Sequence, residues 1–271
     1  MVMTIMLNKS LRKTVFFIIT LVCFNTCADA LLSFRGPHRI SLGPEFYFMQ
    51  RNKEGGSKQR GFLYGGRFTY DRIRRSALYW GIDAMYAAGK LCGHNSLSEH
   101  LRSRKRDSSI EGHFGYTFKK TIGCSYWLTP YVGGGYFEGT NRFVAPSPMQ
   151  YKITNRFPYI LAGFISRVDF KNGLGAGINF KAQYSIGACS KITEDPDPEV
   201  DNSRLIIEDK FSYEVDIPLY YKTCYKEKKV ELSFSPFYRF RHYGAHENHP
   251  FDFIDTRFHI YGARLMFGIY F

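Results

Sequence analysis

The sequence predicts an all-β chain: a single closed antiparallel transmembrane β-barrel of about ten strands, with eight or twelve also open, behind a cleavable export segment. Three observations lead there. The 271 residues include 20 Tyr and 25 Phe, yet the mean hydropathy is −0.28, as when each ring has a polar neighbour facing the other way. Apolar residues recur at every second position along much of the chain, and short connections alternate with long ones.

The export segment comes first. Lys9, Arg12 and Lys13 form a basic start, Val15 to Phe24 is an apolar run too short to span a bilayer comfortably, and Ala28-Asp29-Ala30 places small residues where signal peptidase reads them. Residues 1–30 are therefore read as a signal peptide and 31–271 as the barrel. No later run is long and apolar enough for a transmembrane helix, which leaves periplasm, secretion or outer membrane as destinations.

The strands follow in order. Ile40 to Met49 sets Phe46 and Phe48 against Glu45, and Phe62 to Asp71 sets Phe62, Tyr64, Phe68 and Tyr70 against Arg67 and Thr69. Leu78 to Lys90 opposes Leu78, Trp80, Ile82 and Tyr86 to Asp83; Ile110 to Phe118 opposes Ile110, Phe114, Tyr116 and Phe118 to Glu111 and His113. Tyr126 to Phe137 is glycine-rich, and its faces stay ambiguous. Phe157 to Phe170 places Ile160, Phe164, Val168 and Phe170 opposite Arg167 and Asp169. Leu174 to Ala188 alternates most strictly: Leu174, Ala176, Ile178, Phe180, Ala182, Tyr184 and Ile186 share one face, and a helix would mix Lys181 with Phe180. Leu205 to Tyr221 continues with Leu205, Ile207, Phe211, Tyr213, Val215, Ile217, Leu219 and Tyr221 on one face, interrupted by Asp209. Val230 to His242 and Phe258 to Phe271 complete the set. Pro130, Pro158, Pro218 and Pro236 cannot donate to a ladder, so bulges or strand ends are expected there.

Connections after the even strands are short, and Lys171-Asn172-Gly173 supplies the Asn-Gly pair of a tight hairpin. Those after the odd strands (51–59, 91–107, 139–156, 189–204 and 243–256) are mostly long. Long external loops over short periplasmic turns is the expected membrane-barrel arrangement, with both termini inside.

Parity directs a set of charges inward: Glu45, Arg67, Asp83, Glu111, His113, Arg167, Asp169, Lys181, Glu208, Lys210, Glu214, Asp216, Glu231, Arg239, Arg241 and Arg264. In a narrow ten-stranded barrel they are expected to fill the lumen as a mutually satisfied network, with a narrow polar pore as the alternative. Closure pairs first and last strands, which predicts Glu45 and Arg264 on neighbours, both facing in. The net charge of +13 admits nucleic acid, anionic membrane or plain solubility, and the barrel reading removes nucleic acid. Arg102, Arg104, Lys105 and Arg106 make one expected loop basic, suited to lipopolysaccharide phosphates or host polyanions; Glu194, Asp195, Asp197, Glu199 and Asp201 make another acidic, suited to divalent cations.

No motif assigns catalysis, a metal or a cofactor. His246-Glu247-Asn248-His249 with Asp252 and Asp255 lacks the His-Glu-x-x-His spacing of a zinc helix. Gly133-Gly134-Gly135 opens no helix and makes no nucleotide loop. Cys92 and Cys189 fall at the outer end by this topology, Cys124 and Cys224 at the periplasmic end; a Cys92–Cys189 bridge and cross-links from the other two are open in an oxidising compartment.

The last segment, Tyr261 to Phe271, carries Tyr261, Ala263, Leu265, Phe267 and Ile269 before a terminal Phe271. It resembles the C-terminal signature of Gram-negative outer-membrane barrels, and Trp127 to Tyr136 is similar to a strand of OmpA-like and opacity-type barrels. The resemblance is to a superfamily pattern over the whole mature chain. It implies an integral outer-membrane location, assembly by the barrel-insertion machinery, and contact with outer-membrane lipid and lipopolysaccharide. A structural or surface-interaction role through the outer loops, with a host or envelope protein as partner, is the expected function; a porin-like channel or a rim protease or lipid A hydrolase is the alternative. His94-Asn95-Ser96 resembles the His-x-Ser of lipid A deacylases, but no suitably placed glutamate follows, and the aspartate pairs and Asp-His pair of omptin proteases are not mapped. Cysteines in a mature barrel resemble the disulfide-linked envelopes of chlamydial-type bacteria.

Overall fold

A computed structural model describes residues 38–74, 76–122, 124–170, 172–198, 200–225, 228–245 and 255–271. Residues 1–30, read above as a signal peptide, and the cluster from His246 to Asp252 lie outside the described residues. Thirteen strand segments make up the fold: β1 (His38–Lys53), β2 (Lys58–Arg72), β3 (Ala77–His94), β4 (His100–Ile122), β5 (Cys124–Phe143), β6 (Lys152–Asp169), β7 (Leu174–Ser185), β8 (Cys189–Thr193), β9 (Arg204–Ile206), β10 (Phe211–Asp216), β11 (Leu219–Tyr225), β12 (Lys228–Tyr243) and β13 (Thr256–Tyr270). Both β7 and β8 pair with β6, so together they form one stave. β9, β10 and β11 form the next one, bridging back to β8, β7 and β12. β13 pairs with both β12 and β1. The result is a closed antiparallel barrel of ten staves.

The seam is closed to its last residue. Phe271 N donates to the His38 carbonyl at 3.0 Å, His38 N donates back at 3.3 Å, and the two rings stack at 5.6 Å. Closure leaves no unpaired edge, which matters because an edge in hydrocarbon would strand its backbone polar groups.

Alternation sorts the side chains. On β4, Ile110, Phe114, Tyr116 and Phe118 are exposed on the outside, while Asp107, Glu111 and Thr117 are buried inside. The faces of β5 resolve the same way, with Tyr126, Leu128, Val132 and Tyr136 outward and Tyr131 and Phe137 inward. Similar outward rows on the other strands join into a continuous apolar belt. Ile110 to Phe118 covers roughly 26 Å of strand, less once tilted, close to the hydrocarbon thickness.

The outer half departs from the sequence expectation. β4 runs for 23 residues, roughly 75 Å of chain, far more than a bilayer needs. Most of the expected long loops are strand: Arg102, Arg104, Lys105 and Arg106 belong to β4, and Gly139 to Phe143 belong to β5. True turns shrink to stretches such as 54–57 and 95–99. Asn95 Oδ1 holds the second of these by accepting from Leu97 N at 3.0 Å and Glu99 N at 2.9 Å. The short turn at the other end has Gly173 in the left-handed region (φ 79°), where glycine bears no steric cost.

The prolines are absorbed in two ways. Pro130 and Pro236 sit within continuous ladders opposite Phe164 and Ala263. Pro158 keeps the ladder with Tyr136 on one side, but on the other Tyr159 pairs with Ser185 and Arg156 with Cys189, so two residues of β6 face three of the neighbouring stave and the expected bulge lies there. Only Pro218 falls between two segments. The register is the same on both sides of it, because Asp216 pairs with Asn179 and Leu219 with Ala176. At Pro130, Pro218 and Pro236 the missing N–H brings no shift of register.

The break opposite Pro158 also reverses which side chains face in. Ser185 faces in on β7, but Ser190 and Ile192 face in on β8; Leu205 and Ile207 are buried inside, as is Glu214 on β10. Parity therefore flips between 186 and 188 on one stave and between 207 and 210 on its neighbour. Asp209 ties the two breaks together, its carboxylate accepting from Gly187 N and Ala188 N, both at 3.0 Å. The expectation that Leu205 and Ile207 share the outward face of Phe211 is overturned by this paired slip.

Candidate functional site

The lumen is the one place where the fold brings many chemistry-bearing side chains together. Its middle is an ion-paired lattice on β1, β2, β3, β10, β12 and β13. Glu45 and Arg264 face each other across the closing seam. Glu45 accepts from Arg67 Nε at 2.6 Å, Arg264 Nε at 3.1 Å and an Arg239 amine at 3.2 Å. Arg67 also holds both oxygens of Asp83 at 2.8 Å. Glu214 takes Arg239 Nε at 2.6 Å and a second, close contact from Arg264. Asp216 is 3.7 Å from Arg264 and accepts from Asn179 at 2.9 Å. On the far wall, Lys181 reaches Glu111 at 2.7 Å, with His113 on the same carboxylate at 3.0 Å. Acids and bases nearly balance, as burial requires, since an unpaired ion here would keep a desolvation penalty of several kcal/mol.

A second cluster closes the inner end. Arg39 bridges Asp71 at 2.5 Å and Glu231 at 2.7 Å, and Glu231 also takes Arg167 at 2.7 Å and the Tyr270 hydroxyl. Asp169 accepts from Lys222 at 2.7 Å, Tyr220 at 2.8 Å and the Trp127 indole at 3.0 Å. Toward the outer end, Asp107 is gripped by Arg241 at 2.9 Å and Lys105 at 3.1 Å, and Tyr47 donates to it at 3.1 Å. Beyond that level Met49, Leu63, Leu91, Phe157, Tyr243, Phe258 and Ile260 are all buried, around a polar chain in which Arg51 donates to Gln59 at 2.6 Å and Gln59 to Ser103 at 3.1 Å. Inward glycines make room for these rings. A Cβ on Gly135 would lie 2.7 Å from the Tyr159 hydroxyl.

The spaces left inside are small. One cavity of about 150 Å³ lies between the inner and central ion clusters, another of about 40 Å³ lies near Tyr159 and Tyr243, and a third of about 10 Å³ lies among Asn141, Asn155 and Phe258. Volumes of this size have room for a few water molecules.

Several assignments from the sequence are corrected. Glu208 is exposed and pairs with Lys210 at 2.6 Å, so neither joins the ion-paired lattice, although Lys210 borders one of the lumen cavities. Lys105 is not a loop residue but a buried lumen cation, while Arg102, Arg104 and Arg106 point outward from the same strand. In the acidic segment, Glu194 pairs with Arg142 at 2.7 Å and Asp201 accepts from the Asp195 amide at 3.3 Å; Glu199 lies outside the described residues.

The four cysteines among the described residues are free thiols. Cys92 on β3 and Cys189 on β8 are separated by β4, β5 and β6, roughly 15–19 Å at ordinary strand spacing, beyond the 7 Å limit for bridged Cα atoms. The Cys92–Cys189 bridge is ruled out by that geometry.

Sequence parity missed one pair. His242 and Asp255 meet at 2.6 Å, with Arg257 3.4 Å from the same carboxylate. They lie on the outward side of the outer rim, on β12 and just before β13. No group of three or more metal-ligating side chains forms among the described residues. The assembly-signal residues Tyr261, Leu265, Phe267, Ile269 and Phe271 all face outward.

No family model matches the chain, and no curated protein does. Among solved structures, it is similar to the outer membrane protease OmpT from Escherichia coli, with 14% identity, a TM-score of 0.49, and coverage of 90% of this chain and 100% of that one. The transport unit of the E. coli autotransporter AIDA-I matches at 10% identity and a TM-score of 0.47, over 96% and 97% of the two chains. The toluene transporter TodX of Pseudomonas putida matches at 7% and 0.28, over 89% and 91%.

Proposed function

We propose that this chain is an integral outer-membrane barrel with a sealed lumen and a structural or surface-interaction role, performed by its outer end and not by conduction or catalysis. The observation that carries the reading is the filling of the lumen from end to end. Two ion-paired clusters and a plug of rings, aliphatic chains and hydrogen-bonded polar groups succeed one another along the axis, with cavities of about 150, 40 and 10 Å³ among them. The exposed belt supports the membrane location, since an apolar band of bilayer height around a polar interior is stable only with lipid outside. On this reading the terminal strand is what the barrel-assembly machinery engages, and envelope lipid or a protein partner meets the outer end. The likeness of Trp127 to Tyr136 to OmpA-like and opacity-type barrels stays at the level of that strand.

Single-channel recording in planar bilayers tests the sealed lumen. Refolded protein is expected to give no conductance steps, and steady, voltage-dependent steps would favour the channel reading. The rim-hydrolase alternative rests on the His242–Asp255 pair, and incubation with peptides and with lipid A is expected to yield no products.

A further inference from the structure

Outside the lumen, the wall of β3 to β6 carries a feature without a structural reason of its own. Lys90, Arg104, Arg142 and Lys152 stand directly opposite one another across four adjacent strands. By alternation all four project outward. Like charges in register on neighbouring strands repel and destabilise a sheet, yet here four occur in one row. Arg102 and Arg106 flank the row on β4, both exposed. Arg142 is partly neutralised by Glu194 at 2.7 Å, with both side chains about half exposed. No acidic partner is found for Lys90, Arg104 or Lys152 among the described residues. Among the described residues the row thus carries more positive than negative charge and presents it to the outside.

Its position identifies the matching anion. Four residues below Lys90 and Arg106 on the same strands, Tyr86 and Ile110 begin the exposed apolar belt. Four residues of tilted strand rise about 10 Å, which puts the cations at the height of the headgroup layer above the outer leaflet. A ligand there has acyl chains against the belt and negative groups against the row. Arginine suits phosphate because its planar fork can donate two bonds at once. We propose that the outward wall of β3 to β6 is a binding site for a phosphorylated glycolipid of the outer leaflet, whose phosphates span Lys90, Arg104, Arg142 and Lys152. The inference rests on the membrane placement proposed above and identifies the partner of the outer end.

Native mass spectrometry of the refolded mature chain in detergent tests it. The probes are bisphosphorylated lipid A, the same lipid with its phosphates removed, and a heparin oligosaccharide. The wild-type barrel is expected to retain bisphosphorylated lipid A and to lose the dephosphorylated form. A Lys90→Gln, Arg104→Gln, Lys152→Gln variant is expected to bind about a hundredfold more weakly, from roughly a fivefold contribution per basic residue at a membrane surface. A Lys210→Gln, Lys228→Gln, Arg257→Gln variant removes equal charge elsewhere and is expected to bind as wild type. Heat-modifiable gel mobility verifies folding; if the triple variant does not fold, Arg104→Gln alone is expected to lower affinity about fivefold. Unchanged lipid A binding in the variants would overturn the proposal, as would equal binding of dephosphorylated lipid. Loss of heparin binding alone in the triple variant would make the row a site for soluble polyanions and likewise overturn it. None of these readings depends on conductance, so failure of the sealed-lumen reading and failure of this one are separable.

Discussion

Glu45 accepts from three guanidinium groups and is almost wholly buried, which makes it the residue whose loss is felt most widely. Replacing it with Gln removes one negative charge but leaves Arg67, Arg239 and Arg264 in the lumen. Breaking one side of a buried pair costs about 3–5 kcal/mol. Glu45→Gln is therefore expected to lower the temperature at which the folded gel band converts to the unfolded one. A second change, Arg264→Met, removes the excess cation, and the double variant is expected to recover part of the loss. If the two losses simply add, the residues do not act as one network. Parity made Glu45 and Arg264 readable as inward neighbours, because strand alternation and closure leave few choices. The way one carboxylate serves three arginines was not readable, since it depends on stagger between strands far apart in sequence.

The two adjoining staves that slip parity together depend on Asp209. Its carboxylate caps two amides that the break between β7 and β8 frees from the ladder. Asp209→Ala is expected to leave Gly187 N and Ala188 N unbonded at a cost of about 1–3 kcal/mol. The check is amide hydrogen exchange by NMR, in which those two amides should exchange faster while the amides of β4 remain protected. Equal exchange in wild type and variant would mean that the slip is held by packing alone. Nothing in the sequence marked this break, because Leu205 and Ile207 look like the outward residues that follow them. The strand extensions were hidden for a related reason. Beyond the membrane a strand has water outside, so Arg102-Ser103-Arg104-Lys105-Arg106 carries no apolar alternation, although Lys105 is buried and its neighbours are not. Pattern reading finds strands where lipid imposes a contrast between faces, and misses them where it does not.

At the scale of the whole molecule, polarity changes along the barrel axis. The belted part is charged inside and apolar outside, whereas the protruding part buries rings and aliphatic chains around hydrogen-bonded polar groups such as Arg51 and Gln59 and is charged outside, as a water-soluble domain would be. The hydrophobic effect favours this only if lipid surrounds the first part and water the second, so the inversion also sets how the barrel stands in its membrane. The cysteines report that orientation. Cys92 is exposed on the protruding end of β3, Cys224 is exposed at the opposite end on β11, and Cys189 is buried. On intact cells a membrane-impermeant maleimide is expected to label Cys92 and to spare Cys224. Opening the outer membrane should add Cys224, and Cys189 should react only after unfolding. Single-cysteine variants separate the three sites by mass on a gel. Labelling of Cys224 before Cys92 would mean that the barrel stands the other way up, and the basic row on β3 to β6 would then face the inner leaflet instead of the outer one.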